Sequence, residues 1–168
     1  MNENDKKAFA TLQSELAQLQ QHFSEHILDA TQAWSLHITD EARLSGLPAS
    51  ARATLAQYAR QKEKDGWLVT LEMPSVIPVL TYADDRELRR ETYMAHVTRA
   101  SDTGPFGGVY DNGPEMTDIL TKRQAAAELL GFANHAEVSL ATKMADSPAA
   151  VLDFLNQLAA KAVPQAKR

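Results

Sequence analysis

Apolar residues recur near the start of the chain at Phe9, Leu12, Leu16, Leu19, Phe23, Ile27 and Ala30. Steps of three and four place all seven on one helical stripe. The spacing predicts a long amphipathic helix over about residues 5–33. One helix cannot bury its own stripe, so this one must pack on another. The period then changes. In "WSLHIT", Trp34, Leu36 and Ile38 alternate with Ser35, His37 and Thr39, which predicts a short strand. "WLVTL", residues 67–71, is a second strand candidate, and the two are expected to pair. Between them, Thr39 or Asp40 can cap the helical turn "DEARL", which Gly46 ends. Pro48 is suited to open a helix running to about Lys64, and Asp65-Gly66 signals a turn.

Pro74 and Pro78 interrupt "MPSVIPVLTYA", which predicts an irregular or short helical apolar segment. Asp84 or Asp85 caps a helix over about 85–100, and "SDTGPFGGVYDNGP" reads as a glycine- and proline-rich loop. Helices are expected over about 115–130, with Gly131 as the stop, and over about 133–144. Ser147-Pro148 opens the last one, a cap followed by proline at the first helical position. The predicted class is mainly α: long amphipathic helices with one small two-stranded β element. Val151, Phe154, Leu155 and Leu158 give the last helix an apolar face with no later element to cover it. The first helix poses the same problem, so both ends read as edges of a larger fold.

Composition narrows the chemistry. The 17 basic and 22 acidic residues leave a net charge of -5 without a basic stripe, which argues against nucleic acid as a partner. The absence of cysteine removes disulfides, thiolate metal sites and cysteine nucleophiles, and suits a reducing compartment. The polar start, "MNENDKKAFA", has no apolar signal core, and no run reaches the roughly 20 apolar residues of a membrane span. A cytoplasmic protein that does not enter the membrane is expected.

"HFSEH" carries the sharpest chemical suggestion. His22, Glu25 and His26 match H-x-x-E-H, a spacing that can present two imidazoles and a carboxylate to one zinc ion. At ~100° per residue, His26 lies about 60° and His22 about 100° from Phe23 on the same side, while Glu25 points away. A catalytic zinc also needs a third protein ligand. His37, His96 and His135 remain, without distinctive partner motifs. The loop from Thr103 to Pro114 holds Gly104, Gly107, Gly108 and Gly113, but no lysine follows the glycines and no strand precedes them, so the phosphate-binding pattern is absent. That loop suits either a mobile contact for a peptide or another domain, or a plain connector. Tyr82, Tyr93 and Tyr110 could donate hydrogen bonds to a substrate, but buried helix-interface tyrosines are the favoured reading. Asp84-Asp85 reads as a helix cap rather than a catalytic pair. Neither G-x-S-x-G nor H-E-x-x-H occurs.

Three stretches go further: "QHFSEHILDAT" with "SLHITDEARLSGLP", then "GWLVTLEMPSVIPVLTYADDRELRRETYMAHVTRAS", then "LLGFANHAEVSLATKMADSPAAVLDFLNQLA". In this order they resemble the thimet oligopeptidase and oligopeptidase A family of zinc metallopeptidases, and its bacterial members above all. The resemblance implies a larger helical fold flanking a deep channel that admits short peptides. It implies zinc held by two histidines of an H-E-x-x-H helix and a downstream glutamate. It places residues 1–83 at the end of an N-terminal helical region and 84–168 at the beginning of a helical catalytic region. Nothing in the chain aligns with the zinc helix, so no catalytic, cofactor-binding or metal residue is carried over. No zinc is expected on this chain alone, and a C-terminal catalytic region is expected to pack on it. On this reading "HFSEH" belongs to a scaffold helix. Two alternatives stand beside it: a non-enzymatic helical module that binds a partner helix, and a small zinc enzyme using His22, Glu25 and His26.

Overall fold

A computed structural model describes residues 2–167. Among them are seven α-helices, one 3-10 helix and a two-stranded sheet. The protein is mainly α with a small β element, as the periodicities predict. Helix α1 spans Glu3–Ala33. Its apolar stripe does what the spacing requires: Leu16 and Ala30 are buried, and Phe9, Leu12, Leu19, Phe23 and Ile27 are half-buried.

The chain divides into two compact units, residues Gln20–Met116 and residues Met1–Leu19 with Thr117–Arg168. In the first, strand β1 (Ser35–Ile38) pairs antiparallel with β2 (Trp67–Thr70), with Leu36 opposite Val69 and Ile38 opposite Trp67. Strand β1 keeps the alternation seen in its sequence, turning Leu36 and Ile38 inward and Ser35 and His37 outward. Strand β2 does not, since Leu68 and Val69 are both buried. Consecutive apolar residues in a short strand serve two covered faces. The excursion between the strands is a 3-10 helix, Glu41–Leu44, capped by the Asp40 carboxylate accepting from the Ala42 amide, and then helix α2, Ala49–Gln61. Pro48 is the residue before α2 rather than its first residue, and α2 stops short of Lys64.

Helix α3 (Met73–Tyr82) resolves the ambiguous apolar stretch as a regular helix with Pro78 inside it. Proline at that position removes one backbone donor. Burial of Ser75, Val76 and Val79 offsets the loss, and the Ser75 hydroxyl accepts from the Thr70 amide at 3.0 Å. Helix α4 spans Arg86–Val97, ending before residue 100. The core of this unit gathers Ile38, Leu44, Leu47, Leu55, Val69, Val79, Ala83 and Leu88, flanked by Trp34 and Trp67. A smaller cluster joins Leu71, Val76 and Ala95.

Helix α5 spans Gly113–Leu129. In the second unit its buried residues are Ile119, Ala126 and Ala127, and Leu16 of α1 is buried there too. Lys122 reaches Glu15 at 2.6 Å. Helix α6 is only His135–Leu140: the Asn134 side chain caps its start by accepting from the Glu137 amide, and the helix ends earlier than the sequence pattern suggests. Helix α7, Pro148–Ala166, begins as expected: Ser147 is the cap, its hydroxyl accepting from the Ala150 amide, and proline follows at once. The α7 face holding Leu152, Phe154, Leu155 and Leu158 is exposed, with Phe154 at 59%. No helix of the described residues is long and apolar enough to cross a membrane.

Candidate functional site

The two histidines of "HFSEH" have different fates on α1. His22 and Glu25 are exposed, and Glu25 accepts from the Gln21 side chain at 2.8 Å. His26 is half-buried and turned toward the end of the glycine-rich loop, where its Nδ1 lies 2.9 Å from Oδ1 of Asn112. Asn112 is 1% exposed. Its Nδ2 donates to the Phe23 carbonyl at 3.0 Å, its backbone amide donates to the Ala100 carbonyl, and its own carbonyl accepts from the Met116 amide. The Phe23 bond fixes which end of the Asn112 side chain is the donor. Oδ1 therefore faces the imidazole, and neutral His26 carries its proton on Nδ1. Glu115 places Oε1 3.9 Å from the same nitrogen, and its Oε2 is buried without a hydrogen-bond partner among the described residues.

Asn112 thus seats the loop on α1. The loop runs from Ser101 to Asn112, since Gly113 and Pro114 already belong to α5. The bond from Asn112 to Ala100 brings its two ends together, the arrangement of a compact surface loop. Ala100 holds a left-handed backbone, φ +50°, which costs a non-glycine residue about 1–2 kcal/mol and persists where surrounding contacts fix it. Within the loop, Phe106 and Tyr110 meet edge to face with centroids 6.1 Å apart. Sequence reading saw Asn112 only as a loop residue. Its position before Gly-Pro at a helix start was a capping signal, but contacts to residues 86 and 89 positions away leave no local trace.

The other candidates serve structure or stand free. His37 Nε2 pairs with the Asp65 carbonyl at 2.6 Å, bracing the turn into β2. His96 Nε2 accepts from Arg99, which also donates to Thr31 on α1. Burial, and then the Arg99 charge, push the His96 imidazole below its ordinary pKa. His135 is exposed at the start of α6. Asp85 caps α4 by accepting from the Glu87 and Leu88 amides and pairs with Arg43 at 2.8 Å. The Arg43 hydrogen bond leads the causes that hold its carboxyl below the usual range. Asp84 accepts from the Ser45 hydroxyl at 2.7 Å. The helix-cap reading of Asp84-Asp85 stands, with Asp85 as the cap. Tyr82 and Tyr93 are about half exposed, at 52% and 53%, not buried as the favoured reading had it. Tyr93 borders an open groove of about 480 Å³ with Leu80, Arg86, Arg89 and Arg90. Arg89 is tied to the Ala83 and Asp84 carbonyls, and Arg90 to Glu87.

A zinc ion needs three converging protein ligands. No group of three His, Cys, Asp or Glu side chains among the described residues could hold one. The Asn112 contact uses His26 Nδ1 and leaves the Nε2 lone pair free, so what speaks against a zinc site is the lack of converging partners among the described residues.

Comparison with known proteins places this arrangement. The model of Peptidase family M3 matches residues 79–168. Oligopeptidase A of Salmonella typhimurium is 48% identical over 97% of the chain, which covers 24% of that relative. A probable cytosolic oligopeptidase A of Arabidopsis thaliana is 42% identical over 85% of the chain, covering 21% of the relative. The dipeptidyl carboxypeptidase of Salmonella typhimurium is 30% identical over 99% of the chain and 23% of its own length. The chain therefore spans about a quarter of the length of these curated relatives. A family model matching more than half of these 168 residues makes the chain a member of peptidase family M3.

Proposed function

We propose that this chain is the scaffold segment of a zinc-dependent oligopeptidase that hydrolyses short peptides in the cytoplasm. It would build channel wall and frame rather than the catalytic centre. In such an enzyme, zinc would activate the attacking water. On this reading, residues 1–83 close the N-terminal helical region and 84–168 begin the catalytic one, a division consistent with the start of the family match at residue 79. The observation that carries the reading is the pairing of near-complete coverage of this chain with the lack of a three-ligand cluster among its described residues. Relatives named for different cleavage patterns, an oligopeptidase and a dipeptidyl carboxypeptidase, share the segment, as a common frame would. The exposed face of α7, with Leu152, Phe154, Leu155 and Leu158, supports a C-terminal catalytic region as the neighbour that packs there.

The purified chain tests this. It should hydrolyse no fluorogenic peptide and retain less than one equivalent of zinc after dialysis. Peptide turnover accompanied by stoichiometric zinc would overturn the reading in favour of the His22, Glu25 and His26 site. The reading frame beyond Arg168 offers a second test, since it should encode H-E-x-x-H.

A further inference from the structure

Asn112–Gly113 is the only asparagine–glycine pair in the sequence, and the fold places it where its spontaneous chemistry is blocked. Glycine has no Cβ to shield its backbone nitrogen, so an asparagine side chain before it is open to attack. The Gly113 nitrogen bonds to Cγ of Asn112, the Cγ–Nδ2 bond breaks, and ammonia leaves with the glycine proton. Solvent water then opens the resulting succinimide at either carbonyl, giving aspartate or isoaspartate.

Each requirement of that reaction conflicts with the native contacts. The side chain must turn onto Gly113, yet Nδ2 is held by the Phe23 carbonyl at 3.0 Å and Oδ1 by His26 at 2.9 Å. The attacking nitrogen must lose its proton, yet the Gly113 amide donates to Asp111 Oδ1 at 2.8 Å. Water must enter, yet Asn112 is 1% exposed. All of these contacts lie within residues 20–116, and the two side-chain bonds to α1 are also the ones that seat the loop.

We propose that Asn112 is a latent modification site, silent while α1 holds it and reactive when the loop of residues 101–112 lifts. The product would prevent return. A carboxylate at residue 112 has no N–H to give Phe23 and turns an oxygen toward that carbonyl. Beside His26 it also joins Glu115, whose Oε1 is already 3.9 Å from the ring nitrogen. Isoaspartate in addition lengthens the backbone at the start of α5. Loop opening would thus leave a permanent chemical record.

The test holds the 168-residue chain in mildly alkaline buffer with and without denaturing urea. Mass spectrometry follows amide loss in the tryptic peptide Ala100–Lys122. Loss in the folded chain should be at least about tenfold slower than in urea, because only the opened fraction reacts. His26→Ala, checked for folding by circular dichroism, should raise the folded rate several-fold, and Gly113→Ala should slow the reaction in urea. Equal rates with and without urea, no loss in urea, or a folded His26→Ala chain reacting at the wild-type rate would each overturn the proposal.

Discussion

Replacing Gly46 by alanine tests how tightly the turn after the 3-10 helix is built. Gly46 has φ +83°, where an L-residue costs about 1–2 kcal/mol. A Cβ there would also lie 2.1 Å from the Tyr82 carbonyl oxygen, far inside the ~3.3 Å at which carbon and oxygen normally meet. No rotamer change relieves that overlap, because the obstacle is backbone. The segments would have to separate by about 1 Å or more. They are joined by the Asp84 amide donating to the Ser45 carbonyl at 2.8 Å and by the Ser45 hydroxyl donating to Asp84 at 2.7 Å. Adding overpacking and weakened hydrogen bonds to the conformational cost gives roughly 3–5 kcal/mol for Gly46→Ala. Gly108 supplies the control. It has φ +80° and nothing within 4 Å of its would-be Cβ, so Gly108→Ala should lose only the conformational share, about 1–2 kcal/mol. Both positions lie in the same compact unit. Urea unfolding followed by far-ultraviolet circular dichroism would measure the two losses. Equal losses would refute the steric argument, as would a smaller loss for Gly46→Ala.

Three further outcomes are expected. Asp85→Ala removes both the cap of α4 and the Arg43 partner, and should cost about 2–3 kcal/mol, whereas Glu91→Ala, which loses only the partly exposed Arg43 contact, should cost under about 1 kcal/mol; urea midpoints separate them. His96 has its pKa lowered in the fold, so its contribution is complete above the ordinary imidazole value of 6.5 and is lost as pH falls through the lower folded value. Protonated Nε2 can no longer accept from Arg99, and His96→Gln should therefore flatten the acid side of a stability-against-pH curve. Leu158→Ser on the exposed face of α7 should shift unfolding by less than about 0.5 kcal/mol while lowering binding of a hydrophobic dye; a larger shift would mean that the face is buried in this chain.

What could be read in advance follows from how far each signal reaches along the chain. The stripe from Phe9 to Ala30 and the alternation of "WSLHIT" are local and repeated, and they became α1 and β1. Caps are also local, so Ser147-Pro148 and the Asp84-Asp85 pair mark helix starts where the hydrogen bonds lie, although only the structure selects Asp85 over Asp84. Pro78 left an irregular segment and a short helix both open, because its local penalty acts against burial that only tertiary packing supplies: Val76 and Val79 of α3 enter two different apolar clusters. Helix α6 begins where the local Asn134 cap sets it, whereas its early end at Leu140 is marked by no glycine or proline in the residues that follow directly. The same reasoning explains the partial view of the candidate site. "HFSEH" displays its chemistry within five residues and drew attention to zinc. The engagement of His26 depends on Asn112, 86 residues away. A histidine spacing describes what a helix could offer. What each ring nitrogen does is settled by residues the spacing never mentions: Nδ1 of His26 fastens a loop through Asn112, and the further ligands that a zinc ion would need at Nε2 do not converge there among the described residues.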